Sequence, residues 1–315
     1  MQSPSNNNPL YGKPCMSNPS DYSASVLARL LNHSRSHKEN NQSLLIRYVI
    51  ERFLYRLGQS EYKDSFVLKG AHLLTITFEN QTYRTTKDID LLKSGDTQPE
   101  MIRNSLAAIC SIPYPEDGVI FDAASIRMQD IREQNTYHGH RTKIDAFIGK
   151  ARVVLQIDIG IGDSIFPDPV YTTIPTILDL QSSVIPSYPI ETIIAEKLQT
   201  IIALSLLTSR MKDFYDLYII SMVFTLDYKT VKNAIKLTFE RRSTPIPKKT
   251  PVVISEKVYN DDTKVRQWKA FVSKLRNEHS DLRFSDVIKR LQDFTEVFFS
   301  NNKEFNSWDP EKEWS

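Results

Sequence analysis

The sequence predicts an α+β protein, with helices first, a β-rich half next and a helical half last. Three observations carry this. From Tyr22 to Leu57 apolar residues recur at helical spacing: Val26, Leu27, Leu30 and Leu31, then Leu44, Leu45, Tyr48, Val49, Phe53 and Leu54. The polar stretch "HSRSHKENNQ" divides them into two helices. The runs "SIRMQDIRE", "YHGHRTKIDAFIG" and "RVVLQIDIGIGD", parted by turn residues, predict a strand meander. Beyond them, Ile190 to Leu207 and Met211 to Val223 predict two strong helices. Such segregation argues for an α+β catalytic or binding domain with an attached helical region.

In chain order, residues 1–20 are rich in Ser, Asn and Pro and predict a mobile lead-in. After the two helices, "SFVLKG" reads as a short strand ending at Gly70. "AHLLTITF" fits helix or strand equally, because its apolar run is too short for periodicity to decide. "DIDLLKS" reads as a strand and "PEMIRNSLAAICSI" as a helix. Past the meander and the two strong helices, "RRSTPIPKKTP" is a Pro-broken loop, and helix returns around "VRQWKAFVSKL" and "FSDVIKRLQDFTEVF". The expected division is a lead-in at 1–20, a core at 21–175 and a helical region at 176–315 that completes the site.

Composition excludes little about partners. The 315 residues hold 40 Lys and Arg against 38 Asp and Glu, a formal charge of +2, so local patches decide. Two cysteines offer no disulfide framework and suit a reducing compartment. There is no signal-peptide pattern and no apolar window approaching the roughly 18 residues of a membrane span. The expectation is a soluble, cytoplasmic protein.

The chemistry starts at "TTKDIDLLKS". On a strand, Asp88 and Asp90 share a face while Ile89 takes the other, so two carboxylates repel unless a cation lies between them. Asp158, inside the apolar run "VVLQIDIGIGD", is a third acid where an unpaired charge is costly. Three such acids can hold one or two Mg²⁺, which prefers carboxylate and phosphate oxygens. For D-x-D alone, turn capping or ion pairing is the commoner explanation. Gly70 and the small Ala71, ahead of the acid pair, would let backbone N–H groups approach a phosphate, although taken alone a simple turn is the commoner explanation.

Downstream, "IETIIAEKL" places Lys197 on an amphipathic helix, and "SRMKDFYDLYII" places Arg210, Lys212, Asp213 and Asp216 at the start of the next. Asp213 and Asp216 share a face at i,i+3. Arg210 and Lys212 sit where the helix dipole disfavours cations, which suggests an anionic ligand; ordinary surface pairing of Lys197 with Asp213 or Glu196 is the plainer alternative. His138 and His140 lack a third ligand and read as a solvated strand rather than a zinc site. Arg241, Arg242, Lys248 and Lys249 read as a solvated basic loop.

The ordered set "FVLKGAHLL…YRTTKDIDLL", "LQIDIGIGD", "IETIIAEKL" and "SRMKDFYDLY" resembles the AbiEii/AbiGii toxin family of nucleotidyltransferases. The likeness extends from "RYVIERFLYRL" to "TFERRSTPIP" and "QWKAF", roughly residues 22 to 275. It implies a DNA polymerase β-like core with a mixed sheet, N-terminal helices and a helical C-terminal region. By this resemblance Asp88 and Asp90 bind Mg²⁺ (or Mn²⁺ in its place), and Asp158 is the third acid near the attacking group. Gly70 and Ala71 shape the triphosphate loop, without the Ser hydroxyl many relatives carry after the glycine. Lys197 contacts triphosphate, Asp213 is its partner acid with Asp216 next to it, and Arg210 and Lys212 lie on the nucleotide. The implied reaction is NMP transfer from an NTP to RNA, at the tRNA 3′ end, by a monomeric toxin opposed by a cognate antitoxin. A phosphotransferase acting on protein and a nucleotide-binding regulator without turnover are the competing readings. A metal nuclease would leave Lys197 and residues 210–216 unexplained.

Overall fold

The computed structural model describes residues 19–78, 86–133, 137–275, 278–299 and 304–315. The lead-in at 1–18 and the motif residues Tyr83, Arg84 and Thr85 lie outside them, as does the side chain of His138.

Two helices form where the 3.6-residue spacing predicts them, α1 (Pro19–Ser36) and α2 (Asn41–Gln59). Asn40 starts the second by accepting a hydrogen bond from the Ser43 N–H at 3.0 Å, the usual work of an N-cap side chain. Then come β1 (Phe66–Lys69), α3 (Gly70–Thr77), β2 (Asp88–Lys93) and α4 (Pro99–Cys110). "AHLLTITF" is thus resolved as helix. The meander is β3 (Val119–Glu133), β4 (Tyr137–Ile148) and β5 (Ala151–Ile161), followed by β6 (Val170–Ile174) and β7 (Ser183–Ser187). The C-terminal part holds α5 (Ile190–Leu204), α6 (Met211–Val223), β8 (Leu226–Asp227), α7 (Tyr228–Arg241), α8 (Glu256–Tyr259), α9 (Asp262–Val272), α10 (Phe284–Thr295), β9 (Ser307–Asp309) and β10 (Glu313–Trp314).

Seven strands make one mixed sheet in the order β3-β4-β5-β2-β1-β7-β6. Its register decides where the acids go. Lys69 on β1 lies opposite Asp90 on β2, Asp90 opposite Asp158 on β5, and Asp158 opposite Arg141 on β4. Directly paired residues share a face, so four charged side chains cross the sheet in one row. The opposite face is apolar: Ile89, Leu91, Ile144, Val153, Leu155 and Ile157 are all buried in the main core. Helices α1, α2 and α4 pack against the sheet, while α5 packs on both α6 and α7. A separate three-stranded sheet, β10-β9-β8, closes the C-terminus, where Trp308 donates from its indole N–H to the Ser221 carbonyl at 2.8 Å.

Strands β6 and β7 are not evident in the sequence, because "SVIPS" is short, carries a proline and follows a Pro-rich stretch. β7 lies beside β1 in parallel, which extends the sheet past the strand that leads into Gly70.

A buried ion pair ties the helical layer to the start of β3. Arg56, 2 % exposed, donates to Asp117, 0 % exposed, at 2.6 and 3.3 Å. Its other N–H groups go to the carbonyls of Arg52, Ile112 and Val119, so all five guanidinium donors are used. Removing one partner strands a charge in the core. Asp117→Ala is therefore expected to cost about 3–5 kcal/mol in urea unfolding; a loss below about 1 kcal/mol would show that the pair is not structural.

Candidate active site

The charged row opens on a cleft of about 710 Å³ between the sheet and helices α5 and α6. Its floor is β2. Asp88 and Asp90 point into it, flanking the buried Ile89 as alternation requires. Asp88 accepts from the Thr86 hydroxyl at 2.8 Å and from the Gln156 amide at 3.5 Å. Burial, together with the charges of Asp88 and Asp158, pushes the Asp90 carboxyl up to about 6, with Lys69 and Lys212 pulling the other way.

Gly70 makes this floor possible. It adopts φ +72°, and a Cβ there would overlap the Asp90 carboxylate. The chain turns directly into α3, whose N-cap residue Lys69 makes no side-chain cap bond, and free amides at a helix start favour an anion. Ala71 follows, buried, and lines the same cleft.

The helical wall carries the predicted cations and their acids. Lys197 on α5 donates to Asp213 at 3.0 Å and to Asp216 at 2.5 Å, both on α6. Arg210 donates to the second Asp213 oxygen at 2.5 Å. Asp213 and Asp216 are 2 % and 0 % exposed, so surface ion pairing of Lys197 is not what the structure shows; this is a buried cluster. Burial works against ionisation of Asp213, but Lys197 and Arg210 outweigh it and hold the carboxyl below its usual range. Lys212, next along, is exposed and lines the cleft.

Several groups here do not stand out in the sequence. Lys69 is buried and donates to Asp163 at 2.8 Å and Glu196 at 2.9 Å. Arg242 reaches the same two acids at 3.1 and 3.2 Å. The basic loop is thus only partly solvated: Arg242 belongs to the site, and Arg241 donates to the Gly162 carbonyl. Burial opposes ionisation of Asp163, yet Lys69 and Arg242 hold its carboxyl well below the ordinary range; burial raises that of Glu196. A charged residue ending an all-apolar strand, as Lys69 does, was the one sequence signal available. Arg141 is the other unforeseen group. It grips Asp158 with both carboxylate oxygens engaged, at 2.8 and 2.6 Å. Among the described residues, no three His, Cys, Asp or Glu side chains are arranged to share an ion.

The charges therefore close in sets. Lys69 and Arg242 balance Asp163 and Glu196, Lys197 and Arg210 balance Asp213 and Asp216, and Arg141 balances Asp158. Of the described charged residues lining the cleft, this leaves Asp88 and Asp90 opposite Lys212. Two hard oxygen ligands without a matching ion pair fit a divalent cation of the Mg²⁺ type.

The family's sequence profile, "Nucleotidyl transferase AbiEii toxin, Type IV TA system", matches residues 52–297. The chain belongs to this family. It is accordingly a nucleotidyltransferase of the AbiEii toxin class, as the motif resemblance implied. No curated protein matches it significantly in sequence. Among solved structures, JHP933 from Helicobacter pylori is 14 % identical with a TM-score of 0.45, covering 80 % of this chain and 89 % of its own. A second H. pylori structure, titled as a putative nucleotidyltransferase, is 14 % identical with a TM-score of 0.44, covering 80 % and 92 %. Among the described residues of this AbiEii-family chain, no helix is long and apolar enough to cross a membrane.

The raised Asp90 carboxyl has a signed consequence. The folded, metal-free protein binds this proton more tightly than the unfolded chain, so the group favours folding at acid pH. That contribution is lost as pH rises from the ordinary carboxylate value through about 6. Asp90→Asn is expected to melt on the order of 2–4 °C above wild type at pH 8 and level with it at pH 4. Mn²⁺ should stabilise wild type but not the variant. A variant that melts below wild type at pH 8 without metal would contradict this.

Proposed function

We propose that this AbiEii-family nucleotidyltransferase transfers NMP from an NTP to the 3′ end of an RNA acceptor, tRNA being the favoured substrate, in a Mg²⁺-dependent reaction opposed by a cognate antitoxin. The observation that carries this reading is the placing of two acids with no ion-pair partner among the described residues, on the floor of the cleft, beside the start of α3 and the exposed Lys212. Asp88 and Asp90 would hold the cation, which when bound supplies the positive charge that neutralises phosphate oxygens and aligns them.

The protein's own groups account for the rest. The α3 amides after Gly70 would receive the triphosphate, and the missing Cβ lets the Asp90 carboxylate sit directly against this turn. Lys212 and Arg210 would meet the same phosphates from the opposite wall as negative charge shifts to the leaving pyrophosphate. Lys197 works from within its cluster. Asp213 and Asp216 hold its ammonium at one point in the wall, which is positioning rather than free reach. Stripping Lys197 alone would leave two buried acids facing each other, so Lys197→Ala combines a weaker NTP site with a stability loss of about 3–5 kcal/mol.

The decisive assay separates the phosphorus atoms. Purified protein, Mg²⁺, total tRNA and each NTP, labelled at the α or the γ position, are incubated beside Asp90→Ala. Label should enter RNA from the α position alone, and the variant should lose at least about 100-fold in rate, the scale of removing a group that stabilises transition-state charge. Label passing from the γ position to protein would make the enzyme a phosphotransferase instead.

A further inference from the structure

The pairing of Arg141 with Asp158 leads beyond this reading, although it rests on it. In the proposed reaction the third acid would be expected to sit open beside Asp88 and Asp90. Instead both of its oxygens are bound to one guanidinium in a two-pronged, charge-assisted contact. The bonds come from Nε and Nη2, two of the five donors an arginine carries. Side chains of Arg141 and Asp158 are 41 % and 17 % exposed, and both line the cleft.

Sheet order divides the cleft. Gly70 and the α3 start follow directly from β1, on one side of the acid pair, where the triphosphate is placed above. Arg141 lies on the far side, two strands beyond β2, since β5 separates them. A cation there is poorly placed for the triphosphate and well placed for the other substrate. We infer that Asp158 is a tether rather than a metal ligand, and that it holds Arg141 to bind the 3′-terminal phosphodiester of the acceptor RNA beside the attacking hydroxyl. Asp158 is then a positioning residue acting through Arg141. A guanidinium suits the task because it is always charged, planar and able to bind phosphate with donors that the tether leaves over.

Four variants test this: Arg141→Ala, Arg141→Lys, Asp158→Asn and the double variant Arg141→Ala/Asp158→Asn. Three affinities are read: Mn²⁺ by the loss of its free-ion electron paramagnetic resonance signal, NTP by equilibrium dialysis with Mn²⁺, and total tRNA by filter binding at several salt concentrations. Arg141→Ala should leave Mn²⁺ and NTP affinity unchanged, weaken tRNA binding about tenfold, and flatten the slope of log K against log salt by roughly 0.7, the share of one phosphate contact on a single strand. Arg141→Lys, which keeps the charge, should restore the slope. Asp158→Asn should lose part of the tRNA affinity and none of the Mn²⁺ affinity, and the double variant should be no worse than Arg141→Ala.

Loss of Mn²⁺ binding in Asp158→Asn would overturn the inference by making Asp158 a metal ligand. Loss of NTP affinity in Arg141→Ala would overturn it by moving Arg141 to the triphosphate. Should Arg141→Ala fail to fold by circular dichroism, Arg141→Lys and Asp158→Asn decide on the same readouts. If wild type transfers label to tRNA and Arg141→Ala binds it with the wild-type slope, this inference alone falls. If wild type neither binds nor labels tRNA, the parent reading falls with it.

Discussion

Everything in the site depends on one row of side chains laid across four strands. Arg141, Asp158, Asp90 and Lys69 are neighbours only because β4, β5, β2 and β1 pair in one register. A slip of one residue in any pair would turn an acid towards the apolar layer of Ile89, Ile157 and Ile144. The register is therefore enforced by the core on one face and read out as chemistry on the other. Ile89, wholly buried, does as much to aim the two acids as any group in the cleft.

Charge is costly to bury, and this protein buries a great deal of it. The clusters around Lys69 and Lys197 are balanced, and each links different elements: Asp163 after β5 to α5 and the end of α7, or α5 to α6. Such networks add little net stability compared with apolar packing, yet they permit few alternative arrangements. Here they fix the helical wall relative to the floor. The acid pair is the exception to balance: among the described residues it has no matching ion pair, and the glycine beside it adopts a conformation that would be strained for any other residue. Stability is given up where a ligand would restore it.

Much of this was legible in the sequence. Alternation alone predicts that Asp88 and Asp90 share a face, and they do. Helical spacing locates α2, α5 and α6 to within a few residues, and the meander is visible in its turn residues. The i,i+3 relation of Asp213 and Asp216 is equally local, and both meet Lys197. What sequence periodicity does not contain is pairing between distant strands. Arg141 and Asp158 are 17 residues apart, and nothing in either stretch marks them as partners. Arg242 looks like one charge in a basic loop until the fold sets it beside Asp163, 79 residues away. The two strands after the meander were hidden by proline and short length.

The central claim is that Asp88 and Asp90 form the cation site while Asp158 remains on Arg141. Crystals soaked with Mn²⁺ and a non-hydrolysable NTP, examined by anomalous scattering, test it most directly. The prediction is manganese density on the carboxylates of Asp88 and Asp90, with the Arg141–Asp158 contact intact and the triphosphate over Gly70. Manganese bound by Asp158 with Arg141 displaced, or no manganese at the acid pair, would contradict it.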